Sequence, residues 1–537
     1  MDDTANPSSS AAKGGVSHHA GGARPGVDCP IESGADYIES VRGRDLRVFL
    51  FGERVAEPVD HPIIRPSIEA VAVTYDLANQ NPKLASAEST LSGKRVNRFL
   101  HIAESAEDVV QQNKMQRRMG QLTGTCFQRC VGMDAANALW SVTYECDAAH
   151  GTPYHARLRA FWAEMQRLNL VVGGAMTDPK GDRSKGPSDQ EDPDLFTRVV
   201  ERRADGIVIR GAKAHQTGCV NSHWLLVMPT MRLRESDRDY AVVAAIPVTA
   251  KGITFIYGRQ SCDARALEGG DIDQGNARYG GQEAMILFDD VFIPNEHVFM
   301  DGEVAFAAPL VERFTAFHRR SYVCKTGLGD VIIGAAATIA DYNGVPQVSH
   351  IRDKLVEMTH LNETIYGAGI ASSHESKPTA AGNYQNDDML ANVCKQNVTR
   401  FPYELARLAQ DLAGGLMVTC PSERDLNSPE VGPILKKFLA ARPGVTAENR
   451  VRILRLIENM TLGRNAVGYL TESMHGAGSP QAQRIQIGRQ MDLGYKKALA
   501  KHLAGVSEDP ATVEPSTSAR FEAMFAAEDD AESGATR

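Results

Sequence analysis

From about residue 171 to about residue 300 the chain runs in short β-branched segments separated by Gly, Pro and Asp, and on either side it does not. "GIVIRGAKAHQTG", "YAVVAAIPV", "GITFIYGRQ" and "EAMILFDDVFIPNEHVF" carry strand signals with turn residues between them. They read as a compact β domain without intervening helices. Before this block, residues 35–170 favour helix, as in "AEDVVQQNKMQRRMGQLTGTCFQRCVGMDAANALWSVTYEC". After it, residues 305–506 return to long helical patterns such as "NRVRILRLIENMTLGRNAVGYLTESM". Helix, sheet, helix is therefore the expected order, an α+β chain with its β domain at 171–304 and no internal repeat. Residues 1–34 and 507–537 are poor in large apolar residues and are expected to be disordered tails.

The net charge of −9 is spread in a way that supports this division. The 507–537 tail holds eight acids and two arginines, and the 1–34 tail four acids and two bases, which leaves the body near neutral. No basic run suggests a nucleic-acid partner. Nine cysteines, at 29, 126, 130, 146, 219, 262, 324, 394 and 420, show no small-scaffold rhythm, so a disulfide framework is not expected. No apolar run approaches the roughly 18 residues of a membrane span, and the N-terminus lacks the order of a secretory signal. The chain reads as soluble and cytoplasmic, with no membrane partner. It has no G-x-x-x-x-G-K-[ST] loop and no G-x-S-x-G elbow, and the glycines of "GLGDVIIG" lack dinucleotide-binding spacing.

Five stretches carry chemistry. In "GTCFQRCVGMDA" Cys126 and Cys130 stand four apart, a spacing that puts both thiols on one face of a helix. Two small hydrophobes packing together and two metal ligands are both consistent with it. "GAMTDPKGDRSKGPSDQ" is a polar loop where helices give way to strands. Its Thr177 and Asp178 are placed to hydrogen-bond a heterocycle, and Lys180 and Arg183 to meet a phosphate, or all are a solvated turn. "KAHQTGCVNSH" sets His215, Gln216 and Thr217 between two strands, where buried polar groups need partners. "FHRRSYVCKTG" offers His318, Tyr322, Cys324 and Lys325 within eight residues. Together with Cys126 and Cys130 it gives three thiolates and one imidazole, the ligand count of an iron–sulfur cluster or a structural zinc. "LTESMHGAGSPQAQR" carries Glu472 and His475 before a Gly-rich break, a general base with room for substrate or a simple helix-end acid.

Taken together, these stretches resemble the 4-hydroxybutyryl-CoA dehydratase/vinylacetyl-CoA Δ-isomerase family, within the larger 4-hydroxyphenylacetate 3-hydroxylase superfamily. The likeness runs from about Tyr37 to Val506. It includes "FGERVAEPVDHPIIRPS", "CFQRCVGMDA", "GAMTDPKGDR", "RGAKAHQTG", "YGRQSCD", "LANVCKQNVTRFPYE" and "ESMHGAGSPQAQR". The resemblance implies an acyl-CoA dehydrogenase-like fold, with an N-terminal helical domain, a middle β-barrel and a C-terminal helical bundle, assembled as a homotetramer. It implies FAD and a 4Fe–4S cluster, an acyl-CoA substrate, and a radical dehydration of 4-hydroxybutyryl-CoA to crotonyl-CoA. A thioester acidifies C2 only, so breaking the C–H bond at C3 calls for one-electron flavin chemistry, and a cluster iron would act as Lewis acid on the departing hydroxide.

Residue by residue, the resemblance implies Cys126, Cys130, His318 and Cys324 as cluster ligands. It implies flavin contacts from Met176, Thr177, Asp178, Lys180, Arg183, His215, Gln216 and Thr217, and from Asp411, Gly414 and Gly415 in "DLAGG". Glu472 and His318 are the candidate bases, Tyr322 and Lys325 orient groups near the cluster, and Thr217 hydrogen-bonds the flavin. One departure stands out. The family pattern "HRxSYGGCK" has six residues between His and Cys, whereas "HRRSYVCK" has five. In ideal helix geometry His318 and Cys324 then lie about 600° apart, roughly 120° off a shared face, so 319–323 is expected to leave regular helix. Two rivals remain. A flavin monooxygenase acting on a phenol needs no cluster and leaves the three cysteines without a shared purpose. A non-catalytic flavin and cluster electron carrier has no use for Glu472, His318 and Tyr322.

Overall fold

The structure is a computed structural model and describes residues 27–506. The leading helices have ordinary physical causes. Helix α1 (Arg65–Gln80) carries a proline in its first turn. Helix α2 (Ala106–Thr123) is capped by Ser105, whose hydroxyl accepts from Asp108 N at 3.1 Å, and it stops at Gly124 with φ +57°. Helices α3 (Cys130–His150) and α4 (Tyr154–Leu168) follow, and each ends on a left-handed residue, Gly151 and Asn169.

The strands of the two larger sheets are β1 (Val48–Leu50), β2 (Glu53–Arg54), β3 (Val172–Ala175), β4 (Arg198–Arg202), β5 (Gly206–Thr217), β6 (Trp224–Val227), β7 (Val242–Pro247), β8 (Ile253–Tyr257), β9 (Glu283–Pro294) and β10 (Val298–Asp301). Only short 3₁₀ turns interrupt them after residue 171. The middle barrel expected from the family resemblance is not what they form. Among the described residues they make two open sheets, of order β2-β1-β8-β9-β5-β4 and β10-β7-β6-β3. The two sheets share one apolar core with α1, α3 and α4, so packed side chains rather than a closed ladder complete this layer. The first sheet also takes two strands, β1 and β2, from the chain ahead of residue 171, with β1 parallel to β8.

The C-terminal helices are α5 (Ala307–Ser321), α6 (Cys324–Tyr342), α7 (Ser349–His374), α8 (Asp388–Val398), α9 (Phe401–Ala413), α10 (Ala447–Thr461) and the one-turn α11 (Glu472–His475), with shorter ones between and after them. Helices α6, α9 and α10 pack around a second apolar core. Within Val304–Tyr342 one 18-residue window reaches a mean hydropathy of 1.4, enough by length and composition alone to cross a membrane. Of that window 67% is buried inside the protein, the mark of a core helix. Residues 1–26 and 507–537 of the expected tails lie outside the described residues. Residues 27–34 lie against the body, where Ile31 is buried and its carbonyl accepts from Asn169 Nδ2 at 2.8 Å.

Candidate functional site

Cys126 and Cys130 do not share a helix. Residues 125–129 form a loop, and Cys130 is the first residue of α3. Buried polar bonds overrule the helical spacing. Gln128, at φ +66°, donates to Ser67 O at 2.9 Å and accepts from Asn221 Nδ2 at 2.8 Å, while Thr125 Oγ1 donates to Asn465 Oδ1 at 2.7 Å. Both thiols are nonetheless buried, and each feels the charge of the other or of Cys324. Burial pushes Cys126 up to about 12, Cys324 up to about 11, and Cys130 well above the ordinary thiol. Such thiols are inert until a positive centre draws off their protons.

His318 and Cys324 are joined by a tightened turn. Tyr322 N, Val323 N, Lys325 N and Thr326 N each donate three residues back, to Arg319, Arg320, Tyr322 and Val323 carbonyls, at 3.4, 3.2, 3.0 and 2.9 Å. A 3₁₀ step advances about 120° against about 100° for an α step. Six full 3₁₀ steps would return a residue to its starting face, so the tightening recovers much of the rotation that a missing residue costs. Val323 is fully buried over Gly369 of α7 and pins this turn. His318 Nδ1 lies 2.8 Å from Asp134 Oδ2, and Ser321 Oγ donates to Asp134 Oδ1 at 2.9 Å. With the carboxylate occupying Nδ1, Nε2 is the ring nitrogen left for a metal. Asp134 lies one turn after Cys130 on α3, so one helix supplies a thiol and the group that orients the imidazole. Among the described residues no three His, Cys, Asp or Glu side chains surround a single ion site. A four-iron cluster takes one donor at each iron, so its donors stand farther apart than those around one ion.

Glu472 opens α11 directly after a π turn, Val467–Thr471, a local irregularity that aims it inward. Tyr322 Oη donates to Glu472 Oε1 at 3.1 Å, and Lys325 Nζ to Oε2 at 3.1 Å. A side chain at position 476 would meet Tyr322 Oη at 1.9 Å, so Gly476 has to be glycine. Burial opposes ionisation of Glu472, but Lys325, with Lys395 and His318 beyond it, outweighs burial and holds the acid below the ordinary glutamate range. Glu283 behaves oppositely, because burial and then the Glu472 charge raise it well above that range. It faces Thr217 across the β9–β5 pair, and Thr217 Oγ1 donates to its Oε1 at 2.7 Å. Oε2 of Glu283 is buried with no protein partner among the described residues. The surroundings thus favour the ionised form of Glu472 and the protonated form of Glu283.

Both carboxyls open on a cavity of about 1080 Å³ between the sheets and the C-terminal helices. Met176, Thr177, Lys180, Arg183, His215, Gln216, Thr217 and His318 also line it. Arg259, Arg319 and Arg489 add positive charge, and Ile256 and Met285, paired across β8 and β9, add an apolar wall. Lys180, at φ +74°, and His215, at φ +37°, hold left-handed conformations at its rim. The expected flavin contacts do not all meet at this cavity. Asp178 turns away from the cavity, pairing with buried Lys213 at 2.9 Å and accepting from Thr197 N at 2.9 Å. Gln216 accepts from Met176 N at 2.9 Å and braces the loop as well as lining the cavity. Asp411, Gly414 and Gly415 lie at the end of α9, where Asp411 pairs with Lys354 at 2.7 Å, and they do not line this cavity.

Sequence reasoning did not find Glu283, Asp134, Lys213 or Lys395. Only the acid at the head of the alternating segment "EAMILF" offered a signal for Glu283. Lys395, fully buried, has its Nζ 3.9 Å from the Tyr322 ring centroid and donates to Ser473 O. Burial lowers it to about 7, against the pull of Glu472 and with the push of Lys325 and Arg319.

Comparison with known proteins points one way. The chain matches the family models "4-hydroxyphenylacetate 3-hydroxylase N terminal" over residues 33–300 and "C terminal" over 307–505. It is 58% identical to the 4-hydroxybutyryl-CoA dehydratase/vinylacetyl-CoA-Δ-isomerase of Clostridium aminobutyricum, over 88% of this chain and 98% of that one. It is 26% identical to the 4-hydroxyphenylacetate 3-monooxygenase oxygenase component of Thermus thermophilus, over 80% and 88%. Among solved structures, an oxygen-tolerant archaeal 4-hydroxybutyryl-CoA dehydratase from N. maritimus superposes with TM-score 0.88 at 71% identity, over 90% of this chain and 97% of that one. An FAD complex of the HpaB oxygenase shares the fold, with TM-score 0.77 at 24% identity, over 88% and 98%.

Proposed function

Since the chain belongs to the 4-hydroxyphenylacetate 3-hydroxylase family, on its 4-hydroxybutyryl-CoA dehydratase branch, we propose that it dehydrates 4-hydroxybutyryl-CoA to crotonyl-CoA and isomerises vinylacetyl-CoA. The observation that carries this reading is Glu472, gripped by Tyr322 and Lys325 at a cavity wall, with three buried thiols and His318 close by.

In the dehydration C2 and C3 each lose a hydrogen, while C4 loses hydroxide and gains a hydrogen. Glu472 is the proton acceptor, since its carboxylate is ionised and faces the cavity. Lys325 and Tyr322 fix its two oxygens and balance its charge. Glu283, kept protonated, is placed to give a proton to an oxygen leaving the substrate or to carbon. Ile256 and Met285 exclude water from the apolar part of the acyl chain, and Arg183, Arg259 and Arg489 favour the CoA phosphates. The Cys126, Cys130, His318 and Cys324 set fits a 4Fe–4S cluster in donor chemistry: three thiols in mutual electrostatic reach, and an imidazole whose Nδ1 is occupied by Asp134. The cavity wall of Met176, Thr177, Lys180, Arg183, His215, Gln216 and Thr217 fits FAD in size and polarity. When bound, these groups supply one-electron exchange and a Lewis-acidic iron. Asp411, Gly414 and Gly415 would then serve the flavin of a neighbouring copy in a homotetramer.

Anaerobic purification followed by FAD, iron and sulfide analysis and assay with 4-hydroxybutyryl-CoA tests the reading. The expected result is FAD, about four irons per chain and crotonyl-CoA. Flavin without iron and without dehydration would favour a phenol monooxygenase instead.

A further inference from the structure

Lys395 has no place in the proposed proton transfers, yet it is a fully buried amine at the back of the site. It sits on α8, and two contacts tie it to a group that holds Glu472 and to the backbone next to Glu472. The first is the Tyr322 ring, whose centroid lies 3.9 Å from Nζ, a close and desolvated cation–π contact. That ring carries the hydroxyl that donates to Glu472 Oε1 at 3.1 Å. The second is the Ser473 carbonyl, to which Nζ donates. Helix α11 is a single turn, so only its first carbonyl keeps an ordinary helical partner. Gly476 N takes that of Glu472 at 2.7 Å, and Lys395 takes that of the next residue. A methionine of similar length would fill the same space but could serve neither contact.

We infer that Lys395 is a positioning residue for the acid–base pair, fixing the Tyr322 ring and the α11 backbone so that the phenol hydroxyl and the Glu472 carboxylate meet. This rests on the dehydratase reading above, but it concerns a residue that does not line the cavity.

The mechanism separates positioning from packing. If Lys395 acts by presenting the Tyr322 hydroxyl, its removal should matter much less once that hydroxyl is gone. The experiment compares kcat and KM for 4-hydroxybutyryl-CoA, flavin content and Tm in wild type, Lys395→Met, Lys395→Gln, Tyr322→Phe and Lys395→Met/Tyr322→Phe. Lys395→Gln keeps a donor for Ser473 O without the charge. The expected result is a fall in kcat of at least about tenfold in Lys395→Met, with KM within about threefold and flavin retained. In the Tyr322→Phe background the same change should cost less than about threefold. Lys395→Gln should fall between wild type and Lys395→Met.

Wild-type protein that does not dehydrate the substrate overturns the dehydratase reading. Active wild type with Lys395→Met unchanged overturns only this inference. An equal loss in both Tyr322 backgrounds overturns it too. So does loss of flavin or of folding in both the Met and Gln variants, which would make Lys395 a packing residue.

Discussion

The short turn between α5 and α6 rests on one close approach, and a double-mutant cycle reads its strength. Val323 is fully buried, and a methyl group added at Gly369 would stand 2.1 Å from Val323 Cγ1 and 3.3 Å from Arg320 O. Val323→Ala removes two methyl groups, about 1.6 kcal/mol of transfer free energy. With the cavity left behind, the loss should reach about 2 to 3 kcal/mol. Gly369→Ala alone should gain about 1 kcal/mol of helix propensity. Against that, the clash costs about 1 to 3 kcal/mol, because the backbone carbonyl on the other side limits retreat. In the double variant the new methyl occupies the space that Val323 leaves. Its loss should therefore fall short of the sum of the singles by at least about 1 kcal/mol. Urea unfolding of the four proteins under anaerobic conditions, followed by far-UV circular dichroism, measures this. Additivity within about 0.5 kcal/mol would show that the two positions do not touch. The turn would then have to be held by its hydrogen bonds alone.

Glu472→Gln should keep fold and flavin while losing at least about a hundredfold in rate, the scale of a removed general base; near-normal turnover would reduce Glu472 to a partner of Lys325. Glu283 predicts a pH-dependent stability. An unfolded glutamate ionises at about 4.3, whereas the folded one holds its proton to much higher pH. Folding therefore becomes less favourable as pH rises from the unfolded value toward the folded one, and below the unfolded value the difference vanishes. Glu283→Gln has no such cost, so its Tm relative to wild type should rise between about pH 5 and about pH 8. A difference that stays flat or falls over that range would place an ionised carboxylate at 283.

The sequence by itself determined what depends on near neighbours. Apolar spacing placed α2 and α10, and β-branched runs bounded by Gly and Pro placed β5, β8 and β9, because helix and strand periods are properties of a few adjacent residues. Motif spacing also brought forward Glu472, His318, Tyr322, Lys325 and the loop from Met176 to Arg183, since residues that act together are often close in the chain. It erred where a local rule met a distant partner. Cys126 and Cys130 read as one helix face, but Gln128 bonds to Ser67 and Asn221 and turns their segment into a loop. Asp178 read as a cofactor contact, and Lys213, 35 residues on, draws it inward. Only the tertiary structure set Glu283 against Thr217, Asp134 against His318 and Lys395 against Tyr322, residues 66, 184 and 73 positions apart. Those meetings follow from strand register and from helices packing across two cores. A buried charge must find its partner wherever the fold brings one within reach, and no short-range pattern encodes that distance.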